Sequence, residues 1–254
     1  IAQRSTSETG LGASTGYFTL DRYRLDCSAT AGRLTMAQVA VTDLPGFANA
    51  MKLTCTTADT SIAAGELFIL TQRFEGQDLQ QIKKGTSDAE LITVSFYVKA
   101  NAVFTFGLEL FDIDNSRQIT KLFATTTGWV KHEITFPADT TGALDDNNAN
   151  SFHLQFLLHA GSNYTSGTLG TSWNADGNTT QISSDGNSFF ESTSATFFLT
   201  GVQLEVGSQA TPFEHRSFGE ELALCERYFY KWINTGLSDQ FAFYSPYSPA
   251  QVSA

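Results

Sequence analysis

Short segments in which apolar and polar residues alternate constrain the fold of this chain more than any other feature. In residues 152–158, the apolar side chains of Phe152, Leu154, Phe156 and Leu158 fall at every second position. This period places them on one face of a β-strand, because successive side chains of a strand point to opposite faces. The same kind of pattern predicts ten strands, at residues 17–26, 33–39, 50–56, 65–74, 91–99, 103–111, 118–124, 130–136, 152–158 and 197–206.

Turn-forming residues separate these segments at intervals that are typical of β-sandwiches. Helical patterns are scarce, and residues 76–85 and 219–230 are the two candidates, each with apolar residues at helical spacing. Many short strands with very little helix predict an all-β fold, an antiparallel β-sandwich of the jelly-roll type.

Composition divides the chain into three regions. Residues 1–16 are mostly small and polar, which predicts an N-terminal arm or linker. Residues 17–215 contain the predicted strands and form the sandwich. Residues 216–254 predict a short helix-like connector that leads into a further β-rich module. The chain begins and stops as if within a longer sequence, so we expect truncation at both ends.

The charge of the chain argues against two classes of partner. Its 26 acidic and 15 basic residues give a net charge of −11, whereas nucleic acids and anionic lipid surfaces attract basic proteins. No apolar run is long enough to cross a membrane, so we expect neither nucleic-acid binding nor membrane insertion. Cys27, Cys55 and Cys225 are too few and too scattered for a disulfide framework, and we expect buried free thiols.

No motif of a nucleotide-binding loop, a nucleophile elbow or a zinc protease is present, and the four histidines are dispersed, so we expect no enzymatic activity. Two carboxylate pairs were considered as sites, Asp112 with Asp114 and Asp145 with Asp146. They offer the hard oxygen ligands of a structural calcium site, or the two carboxyls of a glycosidase. Solvated turns explain both pairs better, so we assign no catalytic residue, no metal and no cofactor, with calcium as the minority hypothesis.

A long polar interval over residues 160–187 contains Tyr164 and Trp173. Loops of this length in compact domains are usually functional or mobile. We expect these two rings to be exposed, which makes them the candidates for stacking on sugar rings. The favoured interpretation of the two rings, however, is that they fasten the loop to the domain surface.

Five stretches of the chain have a distinctive amino-acid sequence, at residues 2–23, 74–101, 136–151, 158–169 and 201–230. The last of them reads GVQLEVGSQATPFEHRSFGEELALCERYFY. These stretches resemble tailed-bacteriophage virion structural proteins of the marine phage type, a tail-fibre-like, carbohydrate-binding-module-like jelly-roll family. The resemblance covers about residues 1–231 and carries over no catalytic or sugar-contact residue.

The resemblance implies a virion surface structural protein, a tail fibre or a head fibre or decoration, made in the host bacterial cytoplasm. It implies other virion proteins as partners, a homo-oligomer with a trimer favoured, and a host-surface glycan as the ligand for attachment. The alternatives are a purely structural knob that stabilises the capsid and, less favoured, a glycan-depolymerising enzyme that uses the carboxylate pairs.

Overall fold

Two six-stranded antiparallel sheets are formed by the residues that the computed structural model describes, which are 1–177, 181–182 and 186–231. The strands are β1 (Ser7–Leu11), β2 (Tyr23–Ser28), β3 (Arg33–Ala40), β4 (Asn49–Thr57), β5 (Leu67–Glu75), β6 (Ile92–Ala100), β7 (Thr105–Asp112), β8 (Arg117–Ala124), β9 (Val130–Phe136), β10 (Asn150–Ala160), β11 (Asn174–Ala175) and β12 (Thr196–Val206). The helices are a 3-10 helix (Gly76–Ile82), α1 (Ser162–Thr165) and α2 (Phe218–Glu226).

Consecutive strands repeatedly change sheet. The first sheet has the order β1-β3-β4-β12-β6-β9, and the second has the order β11-β8-β7-β10-β5-β2. All pairings between neighbouring strands are antiparallel. The predicted all-β antiparallel sandwich is confirmed, and each of the ten predicted strands overlaps one of β2–β10 and β12.

Phenylalanine rings join the two sheets across the core. Phe96 of the first sheet meets Phe123 and Phe156 of the second, with ring centroids 5.1 and 5.2 Å apart in edge-on geometry. Phe197 meets Phe106 in the same way at 5.8 Å. Edge-on packing brings the positive rim of one ring to the negative face of the next, and burial of each ring contributes roughly 1.5–3 kcal/mol.

Three short elements of secondary structure are not predicted from the sequence. Ser7–Leu11, within the predicted arm, is instead an edge strand that pairs with β3. Its sequence, SETGL, has no alternation because four of its five residues are exposed, so the prediction of an arm is wrong there. Within the long polar interval, Ser162–Thr165 is one helical turn, and Asn174–Ala175 extends the second sheet beside β8.

The predicted C-terminal connector is a helix that contacts the sandwich. Ser217 and Glu220 form a capping box at the start of α2, because each side chain accepts the other residue's backbone N–H. Beyond the helix, the Arg227 guanidinium donates two hydrogen bonds to Glu75, of 2.9 and 2.7 Å. Residues 232–254, where the further module is predicted, lie outside the described residues. Within the described part, no helix is long and apolar enough to cross a membrane.

The three cysteines are free thiols, as the sequence predicts. Cys55 and Cys225 are buried, whereas Cys27 is half-buried. Burial raises the pKa of the Cys27 thiol to about 12, so this thiol is protonated and unreactive at neutral pH.

A buried lysine holds the loop that follows β9. Lys84 is almost fully buried, and its ammonium pairs with the carboxylates of Asp112 and Asp139. The same ammonium donates to the backbone oxygens of Thr141 and Gly142, at 2.8 and 2.9 Å. Each of its three hydrogens is therefore engaged, and the Arg117 guanidinium, 2.7 Å from Asp139, supplies the second positive charge beside the two carboxylates.

We expect Lys84→Ala to lower the free energy of unfolding by about 3–5 kcal/mol, because it leaves the fully buried Asp112 carboxylate without its cation, whereas Asp139 keeps Arg117. Lys83→Ala is the matched control, since the neighbouring Lys83 ammonium pairs with Glu90 on the surface. Urea denaturation of both variants measures the difference. Equal stabilities of the two variants would show that the buried network does not stabilise the fold.

Candidate functional site

Polar side chains from five strands lie side by side on the outer face of the second sheet. Arg24 of β2 pairs with Thr71 of β5, Thr71 with Gln155 of β10, Gln155 with Glu109 of β7, and Glu109 with Thr120 of β8. Each of the five has at least one neighbour along its strand in the core, namely Leu25, Leu70, Leu154, Leu108 and Ile119, so these five point away from it. We call this set of five residues the polar row.

A second row, with a more aromatic character, runs next to it. Arg73 pairs with His153, His153 with Phe111, and Phe111 with Gln118. The rings of Phe111 and His153 lie 5.9 Å apart at an angle of 57°. Arg73 and Phe111 are partly exposed, so this side of the polar row is open to solvent.

The opposite side of the polar row is covered. Ile69 and Leu157, two positions along β5 and β10, are buried in a small apolar cluster with Ile182. Tyr164 of α1 packs against this cluster and is therefore half-buried. The long polar interval thus lies over one end of the outer face and bounds the polar row on that side.

Three polar atoms on this face have no hydrogen-bond partner within the described part of the chain. They are the Thr71 hydroxyl oxygen, the Arg73 Nε and the Glu109 Oε2, and all three atoms are buried. A buried polar group without a partner costs about 1–3 kcal/mol, which is why such groups are rare in folded proteins. Thr71 and Glu109 themselves have no exposed surface.

The middle of the polar row is neutral at pH 7. Burial, with a smaller contribution from the nearby Asp176 carboxylate, raises the pKa of Glu109 to about 8. Burial lowers the pKa of His153 to about 4. The neutral His153 ring lies 3.2 Å from the Gln155 amide and 3.0 Å from the Asn150 side-chain oxygen. The face thus offers uncharged donors and acceptors, with the guanidinium groups of Arg24 and Arg73 at its margin.

Neither of the two predicted stacking residues is a fully exposed ring: Trp173 is buried, and Tyr164 is half-buried. Trp173 is 7% exposed, and its indole N–H donates to the Pro137 carbonyl at 2.8 Å. The indole also packs 6.1 Å from the Phe152 ring, on the core side of the second sheet. The expectation that Trp173 is exposed is wrong, because this ring fastens its loop to the core. Tyr164 keeps only part of its surface exposed.

The two carboxylate pairs come together without forming a cation site. The carboxylate of Asp112 is fully buried against Lys84, and Asp114 Oδ2 accepts the backbone N–H of Asp145 at 2.9 Å. Asp145 and Asp146 point into solvent. Among the described residues, none of these four carboxylates belongs to a group of three or more that could hold a metal ion.

The polar row is not predicted from the sequence, although the sequence contains part of the pattern that forms it. His153 and Gln155 are the polar half of the alternation over residues 152–158, and Glu109 has the same place in the alternation over residues 104–110. The missing information is the register, because one residue of slip between strands would separate Gln155 from Thr71 and Glu109.

Comparisons with known proteins give the fold alone. No protein-family model and no curated protein sequence matches the chain. A family 11 carbohydrate-binding module from Clostridium thermocellum, in complex with a mixed-linked tetrasaccharide, aligns over 80% of this chain and 97% of its own, at 11% identity and a TM-score of 0.39. The CBM22-1 xylan-binding domain of Paenibacillus barcinonensis Xyn10C aligns over 81% and 99%, at 10% identity and a TM-score of 0.36.

A phage protein is among these structural neighbours. The enzymatically active domain of tailspike protein 4 from bacteriophage CBA120 aligns over 73% of this chain but only 19% of its own, at 9% identity and a TM-score of 0.39. Likenesses at this level carry no argument about what this chain binds, so the candidate site rests on its own geometry.

Glu109 makes the stability of the fold depend on pH. Its pKa is raised on folding, so the folded state binds more protons than the unfolded state between the ordinary glutamate pKa and about 8. The contribution of Glu109 to stability is therefore present at low pH and is lost as the pH rises toward 8. Between pH 7 and 8, above the ordinary histidine pKa of about 6.5, we expect Glu109→Gln to remove this decline. The parent should lose about 1 kcal/mol more than the variant across this pH unit.

Urea denaturation of both proteins at several pH values in this range measures the effect. A decline of the same slope in the variant would show that Glu109 is not the titrating group.

Proposed function

We propose that this chain is a glycan-binding β-sandwich on the surface of a phage particle, where it serves attachment to the host surface. The ligand binds on the outer face of the second sheet. The observation that carries this proposal is the polar row, in which Arg24, Thr71, Gln155, Glu109 and Thr120 lie side by side across five strands. Arg24 is half-buried, and the other four are at most 7% exposed.

The chemistry of this surface suits a sugar. A sugar hydroxyl donates and accepts hydrogen bonds without charge, and the neutral side chains of Gln155 and His153, 7% and 5% exposed, offer both functions. The exposed part of the Phe111 ring adds an apolar surface beside the polar row, as sugar-ring stacking requires.

The proposed location on the surface of a phage particle rests on the sequence resemblance over residues 201–230 and the four other matching stretches. A chain displayed in many copies gains avidity, so weak binding at each site is enough for attachment. A homo-oligomer, with a trimer favoured, and other virion proteins as partners belong to this proposal. The net charge of −11 supports solubility of such a chain before assembly.

A glycan array probed with a multimerised form of the full chain tests the proposal. We expect at least one glycan to bind, and we expect Gln155→Ala to weaken its binding about tenfold, the effect of losing one well-formed hydrogen bond. Gln81→Ala is the matched control, because Gln81 is exposed on the 3-10 helix, away from the polar row.

Two outcomes would contradict the proposal. A multimer that binds no glycan would favour the structural knob. A glycan that binds the Gln155→Ala variant as well as the parent would place the site elsewhere on the chain. Shortening of a bound polysaccharide during the assay would favour the depolymerase alternative.

A further inference from the structure

A second group of polar side chains lies inside one end of the sandwich, apart from the polar row. Asp59 follows β4, Glu66 comes directly before β5, and His159 is the second-last residue of β10. All three are buried, with exposed fractions of 5%, 5% and 0%. Each offers one atom that binds metals, and these three atoms lie within 4.8 Å of one another.

A shift of register in β10 directs the side chain of His159 toward Asp59 and Glu66. The shift lies between Leu157 and His159, after which His159 pairs with the core residue Phe68. Its Nε2 then lies 3.1 Å from Glu66 Oε2, and its Nδ1 lies 2.8 Å from the Ser188 hydroxyl oxygen. One ring nitrogen thus faces the carboxylates while the other is oriented by a hydroxyl, which is the usual arrangement around a histidine that binds a metal.

Both carboxylates are oriented in the same manner. Glu66 accepts the backbone N–H of Ala63 at Oε1, at 3.0 Å. Asp59 accepts the backbone N–H of Ala31 and the hydroxyl of Thr30 at Oδ2, at 2.7 and 3.0 Å. One oxygen of each group is therefore held by the surrounding loops, and Glu66 Oε2 remains directed at His159.

The charges of this group are not balanced by a cationic side chain. Within the described residues, no lysine or arginine forms an ion pair with Asp59 or Glu66, in contrast to Lys84 beside Asp112 and Asp139. Two buried carboxylates in contact need either a shared proton or a bound cation between them.

We propose that Asp59, Glu66 and His159 bind one divalent transition-metal ion of the zinc class. An imidazole nitrogen with carboxylate oxygens is a ligand set that Zn²⁺ takes at about 2.0–2.2 Å, whereas Ca²⁺ takes six to eight oxygens. The ion takes the place of the shared proton and links the β4–β5 loop to the end of β10. This inference is independent of the proposed glycan site.

The role of the ion is structural. The ring of His159 has no exposed surface, so a substrate cannot reach it or the Ser188 hydroxyl bound to it. The hydroxyl oxygen of Ser188 also accepts the backbone N–H of Phe190 at 3.0 Å, which fixes it in the loop. The chain Ser188–His159–Glu66 therefore does not serve as a nucleophile with its base.

The full chain, prepared without a histidine tag and stripped with EDTA, is titrated with Co²⁺ and with Zn²⁺. We expect one equivalent of Co²⁺ to give a visible absorption band, and Zn²⁺ to displace it and raise the melting temperature. His159→Gln should remove the band, and Ser188→Ala should weaken binding about 10–100-fold, as loss of an orienting contact does. His215→Gln is the control, because His215 is exposed and lies outside the group.

The proposal is overturned if the parent chain shows no stoichiometric Co²⁺ band, a result that needs no variant to fold. It is also overturned if His159→Gln binds Co²⁺ as tightly as the parent does. If His159→Gln does not fold, Asp59→Asn replaces it, and an unchanged band in that variant counts against the site.

Discussion

The layer of phenylalanine side chains between the two sheets determines what the rest of the molecule presents to solvent. Phe152 and Phe156 of β10 are fully buried, and Phe156 meets Phe96 across the core. Because side chains alternate along a strand, this burial obliges His153 and Gln155 to lie on the outer face. The polar row is therefore a geometrical consequence of the core, and the antiparallel register aligns its members across five strands.

Buried acidic side chains lie in three different environments in this molecule. Lys84 and Arg117 pair with Asp112 and Asp139, and the result is a network that fastens a loop. Among the described residues, no lysine or arginine pairs with Asp59 or Glu66, and His159 completes their group. On the outer face, Glu109 keeps its proton at neutral pH, so the centre of that face carries no charge.

The period of two in the sequence was enough to predict ten strands and the sandwich, since the core phenylalanines lie on one face of each strand. It failed for Ser7–Leu11, an exposed edge strand held by pairing rather than by burial. It failed for Trp173, whose indole N–H donates a hydrogen bond to the carbonyl of Pro137, 36 residues away in the chain. His159 and Glu66 are 93 residues apart, so only the tertiary structure shows that they meet.

The most direct test of the account is a nuclear magnetic resonance titration of the full chain with the tightest-binding glycan from an array. The side-chain amide resonances of glutamine report contact one residue at a time. The account predicts that the Gln155 amide and the backbone amides of β5, β7 and β10 around Thr71 and Glu109 shift together and saturate. Shifts confined to other surfaces, with the Gln155 amide unchanged, would contradict a glycan site on the outer face of the second sheet.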